Sequence, residues 1–534
     1  MQFSVYLLYI DLYLPGGFVT VGQDMRGTKL SEGNFTIWHQ DADDSTDLGN
    51  WIVQQPWSDG KIYSVGASAD GLAAFTTVHM APQWLRAQYY IWSSSIGYDV
   101  FYPGGTLVGE LVDSWIHGTV EFPAGWDEQC YQTIIENEMH GEWWNAVELT
   151  GMYGNVNFPT AFWAGWYDIF LLGNLEAFRG FNDESSANVR HTSKIVIDPL
   201  GHCQSGAEFF KQDLLAGRSL LSLMQSYELF GMRSVKRTDV KNVTFYVMSS
   251  NDAIGRKTGQ YWTSLERFPE PVMTKFFMHS DGSVSNSAPS KLSPHDKVES
   301  SSYRHDPSNP IPTAGGNNLD IPCGPLDQAE NDKRSDLLKF ETPLLLEPLA
   351  LTGPLVATLF VSSDAVDTDF MVKISDVYPS GEVRLIQDSA VRMRWRDGGL
   401  VPVLMEKDQV YEITANLWNT SYVFATGHKL RLVVASSNSP RFSVNPNNGR
   451  SLIDEYSSPG EKIIANNVLY HSEKYPSHFL LPVVDLSQLP DLGDIKVQFN
   501  RAFPDLNADE VLLEHPDILG RIAELSAKKS SRVK

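Results

Sequence analysis

The stretch KIYSVGASADGLAAFTTVHMA, residues 61–81, constrains the fold more tightly than any other part of the chain. KIYSVGAS reads as a short buried strand, and LAAFTTVHMA after it has a helical pattern. A strand that passes into a helix within a few residues must turn sharply. Gly66 and Gly71 bracket that turn, where a missing Cβ lets the two elements approach. Ser68 sits at the apex. A G-x-S-x-x-G run alone is more often an ordinary turn, but the strand–turn–helix context is the one a serine nucleophile requires.

A serine hydroxyl reacts only when a histidine takes its proton and a carboxylate orients that histidine. Two later apolar stretches end on those groups: TAFWAGWYD (160–168) closes on Asp168, and SKIVIDPLGH (193–202) closes on His202. The order Ser, Asp, His, each at the end of a buried strand, lets three remote residues converge at one edge of a parallel sheet. Taken singly the residues say little. Asp168 could cap a helix, Asp198 is a rival acid, and His202 is one of 13 histidines. Their joint placement favours acyl-transfer chemistry. The backbone N–H of Ala69 would then supply half of an oxyanion hole, and Asp70 is expected to point away from the developing negative charge.

Most of the 14 tryptophans precede residue 170. Core packing accounts for the majority, while Trp92, Trp115, Trp166 and Phe170 are candidates to line an aromatic substrate pocket. No Walker loop, dinucleotide fingerprint or HExxH is present, and GGNN at 315–318 reads as turn chemistry, so no cofactor and no metal are expected. Asp41, Asp43 and Asp47 imitate a calcium loop but lack its turn glycine and closing glutamate, and instead open a helix.

The remaining pattern divides the chain. GGFVTVGQDMRG (16–27) reads as a buried strand and turn, and residues 72 to about 155 lack strand alternation. Residues 207–230 read as helical, with strands at NVTFYVMSS and TKFFMHSDG. SYRHDPSNPIPTAGGNN (302–318) is a Pro/Gly/Asn-rich crossing, followed by regularly spaced alternating segments that imply an all-β sandwich or jelly roll. The expected organisation is α/β: a catalytic unit from 1–75 and 156–318, a helical cap at 76–155, a β-domain at 319–490 and a peripheral tail at 491–534, helical and then basic.

With 42 Lys+Arg against 65 Asp+Glu, the net charge is −23, which disfavours nucleic acid and anionic membrane as partners. Cys130, Cys203 and Cys323 match no zinc spacing and no disulfide framework, and fit a reducing compartment. MQFSVYLLYI lacks the basic flank and cleavage site of a signal peptide, so a soluble, cytoplasmic protein is favoured.

These residues resemble the X-Pro dipeptidyl-peptidase and cocaine-esterase group of serine hydrolases. GQDMRGTKLSEG, NWIVQQPWSDGKIYSVGAS, AGWYDIF and IDPLGH are similar to its catalytic motifs; CGPLDQ, LTGPLVATLFVSSDAVDTDF and YVFATGHKLRLVVASSNSPRFSVNPNNG are similar to its C-terminal domain. The likeness runs from about residue 16 to 485. It implies an α/β-hydrolase sheet with a helical cap inserted between nucleophile and acid, followed by a jelly roll packed on both. Carried over, Ser68 is the nucleophile, Asp168 the acid and His202 the base, acting on a small ester, amide or short peptide. Homo-oligomers are common in the group, though no residue here demonstrates one. An alternative of another class is an impaired hydrolase homologue serving as a glycan- or ligand-binding module.

Three departures stand out. Ala69 occupies a position usually held by tyrosine. Ile169, Phe170 and Leu171 replace the carboxylates with which some members bind a substrate ammonium, which favours a neutral, apolar acyl group. The family's first strands and its oxyanion-hole tyrosine lie upstream of FVTVGQDMRG, where only about 15 residues precede here, so both are expected to be missing; Tyr6, Tyr9 and Tyr13 are the tyrosines left in that stretch.

Overall fold

The structure, a computed structural model, describes residues 13–118, 125–203, 205–210, 214–253, 258–290 and 299–514. Its catalytic half is a twisted sheet of β1 (Ile62–Ala67), β2 (Leu85–Ile91), β3 (Thr160–Gly165), β4 (Lys194–Asp198) and β5 (Val243–Ser249), neighbours in that order and all parallel. A sixth strand, β6 (Tyr261–Leu265), pairs antiparallel with β5. β3, β4 and β5 are buried on both faces and read as continuous apolar runs, as parallel strands covered by helices must.

The register aligns the strand ends. Ala67 pairs with Ile91, Ile91 with Trp163 and Trp163 with Val196, so one row crosses four strands. Ser68 lies one residue beyond that row, and the loops carrying Asp168 and His202 leave the same edge.

Helix α1 (Asp41–Ile52) opens on the acidic cluster as expected, and α2 (Ala69–Thr76) follows Ser68 directly. Phe75 of α2 stacks on Tyr90 of β2 with centroids 3.7 Å apart. Between β2 and β3 the chain forms the helical cap, including α3 (Tyr98–Phe101), α4 (Gly109–Gly118) and α5 (Trp126–Glu136). On the sheet's faces lie α6 (Leu171–Asp183) and α7 (Leu214–Leu229).

The β-domain joins this sheet without a break. Its strand Tyr411–Phe424 pairs parallel with β5 through Tyr422–Met248 and Val423–Ser249. A separate four-stranded antiparallel sheet, containing Asp369–Val377 and Val383–Arg392, forms the second layer of the sandwich.

Several expectations change. Strand β2 lies inside the span read as helical cap: LRAQYYI is almost wholly buried and therefore shows no alternation. Residues 18–25 form no strand. Among the described residues β1 pairs with β2 alone, and residues 17–23 line a cavity of about 650 Å³ together with residues 61–65. The β-domain recruits Val272–Met278 and Ser300–His305, both before the expected boundary. The tail is helical but not peripheral over 495–514, since Phe499 and Phe503 are buried and Phe503 packs edge-on to Tyr227 of α7. Residues 515–534, with the basic end, lie outside the described residues. Among the described residues no helix is long and apolar enough to cross a membrane.

Candidate active site

Ser68 occupies φ 58°, ψ −129°, a conformation L-residues rarely adopt. The glycines explain how the turn closes. A Cβ on Gly66 would lie 2.6 Å from the Asp70 carbonyl oxygen, and one on Gly71 would lie 2.5 Å from the Ser93 side chain. The Ser68 N–H donates to the carbonyls of Ile91 and Trp92 at 3.0 and 3.1 Å, anchoring the elbow to the end of β2. Ala69 is the first residue of α2, so its N–H has no intrahelical acceptor and is free to meet a ligand oxygen.

Asp168 is fully buried. Its Oδ2 accepts from His202 Nδ1 at 2.5 Å and from the His202 backbone N–H at 3.0 Å, and its Oδ1 accepts from the Phe170 N–H at 2.9 Å. Gly201 permits this approach: a Cβ there would lie 2.7 Å from the Asp168 Cα. With Nδ1 bound to the carboxylate, the other ring nitrogen lies outside that contact. His202 Nε2 is buried and has no hydrogen-bond partner among the described residues. Ser68 and His202 share no hydrogen bond; Trp92 joins them instead, receiving the Ser68 N–H on its carbonyl and packing its ring 5.6 Å from the imidazole.

Asp198 is occupied elsewhere. It faces buried Arg218 at 3.1 Å and accepts from Trp163 Nε1 and the Leu200 N–H. Burial raises its carboxyl above the ordinary value, while the Arg218 cation pulls it down. Asp70, as expected, faces away: it lines the cavity beside β1 with Asp41 and Asp44, a cavity to which Ser68, Asp168 and His202 do not contribute. Burial raises Asp70 to about 6.

The aromatic candidates separate. Phe170 packs 5.3 Å from His202, and Trp92 flanks the same ring. Trp115 belongs to the cap and stacks on Trp38 at 4.9 Å; Trp38 in turn donates its indole N–H to the Ala69 carbonyl. Trp166 is not at the pocket. Its indole donates to the Tyr246 carbonyl and its ring packs on Phe245, inside the sheet's core. Trp38 was invisible in the sequence, because its role depends on a positive φ at Ile37 and Trp38 that no local pattern announces.

Tyr13 does not approach Ser68; its hydroxyl meets Ser226 of α7 at 3.4 Å. Tyr6 and Tyr9 lie outside the described residues. The cysteine reading is corrected: Cys203 and Cys323 form a disulfide across 120 residues, and Cys130 is a buried free thiol. Cysteine usage therefore gives no support to a reducing compartment.

Two family models match the chain: X-Pro dipeptidyl-peptidase (S15 family) over residues 4–130, and the X-Pro dipeptidyl-peptidase C-terminal non-catalytic domain over 236–480. Cocaine esterase of Rhodococcus sp. (strain MB1 Bresler) is 27% identical, covering 88% of this chain and 89% of the esterase. Among solved structures, an aminopeptidase from a marine sediment Thaumarchaeota archaeon superposes with a TM-score of 0.75 at 19% identity, covering 90% of this chain and 87% of its own. An α-amino acid ester hydrolase gives 0.69 at 20% identity, over 89% and 87%. Two matching domain models in the family's order, a full-length relative and a shared fold agree: the chain belongs to the X-Pro dipeptidyl-peptidase and cocaine-esterase family of hydrolases.

Proposed function

We propose that this protein is a serine esterase in which Ser68, His202 and Asp168 act as a triad. The observation that carries the reading is the 2.5 Å Asp168–His202 contact, which leaves a buried Nε2 with no other partner. In the proposed reaction Nε2 takes the Ser68 proton as Oγ attacks the acyl carbon. Asp168 holds the imidazole in the required tautomer and stabilises its cation. The Ala69 N–H donates to the tetrahedral oxyanion. The imidazolium then protonates the leaving group, and water, activated by the same nitrogen, releases the acid.

Substrate preference follows from what surrounds the acid. Ile169, Phe170 and Leu171 are buried and apolar, with no carboxylate among them to receive a substrate ammonium. This supports a neutral acyl group over a free peptide N-terminus. A p-nitrophenyl butyrate assay tests the proposal: Ser68→Ala should lower kcat/KM at least about 10⁴-fold. Faster turnover of an Ala-Pro anilide than of any short ester would replace the esterase by the dipeptidyl-peptidase reading.

A further inference from the structure

Residues 315–326 follow the β-domain strand Ser300–His305 and grip the site at three points. Asn317 Nδ2 donates to the Asp168 carbonyl at 2.9 Å. The backbone N–H groups of Leu319, Asp320 and Ile321 donate to Glu110 of cap helix α4. Cys323 is bonded to Cys203, the residue directly after His202, with Cα atoms 6.1 Å apart. One segment thus touches the acid loop, the cap and the histidine loop. Among the described residues between His202 and Phe210, a short 3-10 turn at Ala207–Phe209 is the regular element. Apart from the disulfide, the histidine loop meets Cys323 through Ser205, whose hydroxyl accepts the Cys323 N–H at 2.7 Å.

We propose that the Cys203–Cys323 disulfide is the positioning pair for His202, and that its reduction is a reversible brake on turnover. The proposal rests on reading His202 as the general base. Cys203 is partly exposed and Cys323 is buried, so a dithiol reductant reaches Cys203 first. Its thiolate attacks the Cys203 Sγ, the protein S–S bond breaks, and Cys323 leaves as a thiolate that takes up a proton. The reductant's second thiol then displaces Cys203 as a thiol. Two electrons and two protons pass to the protein, and the reductant ends as its own cyclic disulfide. The histidine loop then loses its covalent tie, and small displacements of a general base are costly: an error of about 1 Å lowers rates on the order of 10²-fold.

The experiment uses the full-length protein, purified without reductant, reduced with dithiothreitol and reoxidised with diamide. Thiol counting, p-nitrophenyl butyrate kinetics across pH, and hydrogen exchange of the backbone around residues 199–210 are read on each form. The oxidised protein should show one free thiol, Cys130. Reduction should lower kcat roughly 10-fold or more with little change in KM and speed exchange around 199–210; diamide should restore both. The variant C203S/C323S should behave as the reduced form and ignore dithiol. Three free thiols in the oxidised preparation would overturn the proposal. So would unchanged kinetics and exchange after reduction, or a loss of rate that only tracks a loss of helical circular dichroism. If neither form hydrolyses ester, the esterase reading falls on its own. The exchange data still decide the latch: faster exchange after reduction upholds it, and unchanged exchange rejects it.

Discussion

Asn317, on the segment that follows the β-domain strand Ser300–His305, donates its side-chain amide to the backbone carbonyls of both Asp168, at 2.9 Å, and Trp166, at 3.3 Å. The loop that bears the proposed acid is therefore held by a side chain from 149 residues away, fully buried at the junction of the two halves. The β-domain, on this account, is part of the machinery that shapes the site. Asn317→Ala should remove the side-chain donor from the Asp168 carbonyl, while the Trp166 carbonyl keeps Gln387 Nε2 at 2.8 Å, lowering stability by about 1–3 kcal/mol and slowing kcat about 10-fold. Denaturant unfolding and steady-state kinetics on the same preparation check both effects.

The two buried aspartates near the site should respond in opposite ways. Asp168→Asn keeps the shape but removes the charge that sets the His202 tautomer, so kcat should fall by about 10³–10⁴ with modest loss of stability. Asp198→Asn breaks the buried ion pair with Arg218 and should cost about 3–5 kcal/mol, while kcat of the remaining folded protein stays within a few-fold. Equal kinetic losses in both would reopen the choice of acid.

Glu110 offers a test of the cap's attachment. Its carboxylate collects three backbone N–H groups from residues 319–321. Glu110→Ala should destabilise the protein by about 2–3 kcal/mol and make residues 319–324 susceptible to limited proteolysis, read by mass spectrometry of the fragments. Glu110→Gln should retain part of the protection.

A pH dependence follows from Asp41, which burial and the neighbouring Asp44 and Asp70 charges raise to about 7. A carboxyl whose folded value exceeds its unfolded value of about 3.9 holds more protons when native. Its effect on stability is absent below pH 4 and becomes a growing penalty as pH rises to 7, complete above it. Asp41→Asn removes that penalty. The variant should melt roughly 1–3 °C above wild type at pH 8 and together with it at pH 4. An identical difference at both values would contradict the assignment.

Much of the site is legible in the sequence, for reasons the structure makes explicit. Ser68, Asp168 and His202 are each set by local chemistry: a strand that stops, a glycine where backbones touch, a polar residue just past the end. Gly66, Gly71 and Gly201 are needed by contacts within one turn or one loop crossing, so their pattern survives in the linear string. Asn317, Trp38 and Cys323 are different. Their partners lie far along the chain, and a turn-like GGNN, a tryptophan among many and an unmatched cysteine look alike until the halves are docked. The expected strand at residues 16–27 fails for the reverse reason. FVTVGQ has the composition of a strand, but strand structure needs a bonded neighbour, and among the described residues it pairs with no strand. β2 carries no strand alternation because LRAQYYI is buried almost throughout, which erases the pattern that marks a half-exposed strand.

The central claim is that Ser68 is a nucleophile activated by His202, and labelling with a fluorophosphonate probe tests it most directly. The folded protein should be modified once, on the peptide containing Ser68, with labelling abolished in Ser68→Ala and slowed at least about 10³-fold in His202→Ala. A folded protein that takes up no probe, or takes it up at another residue, would contradict the account.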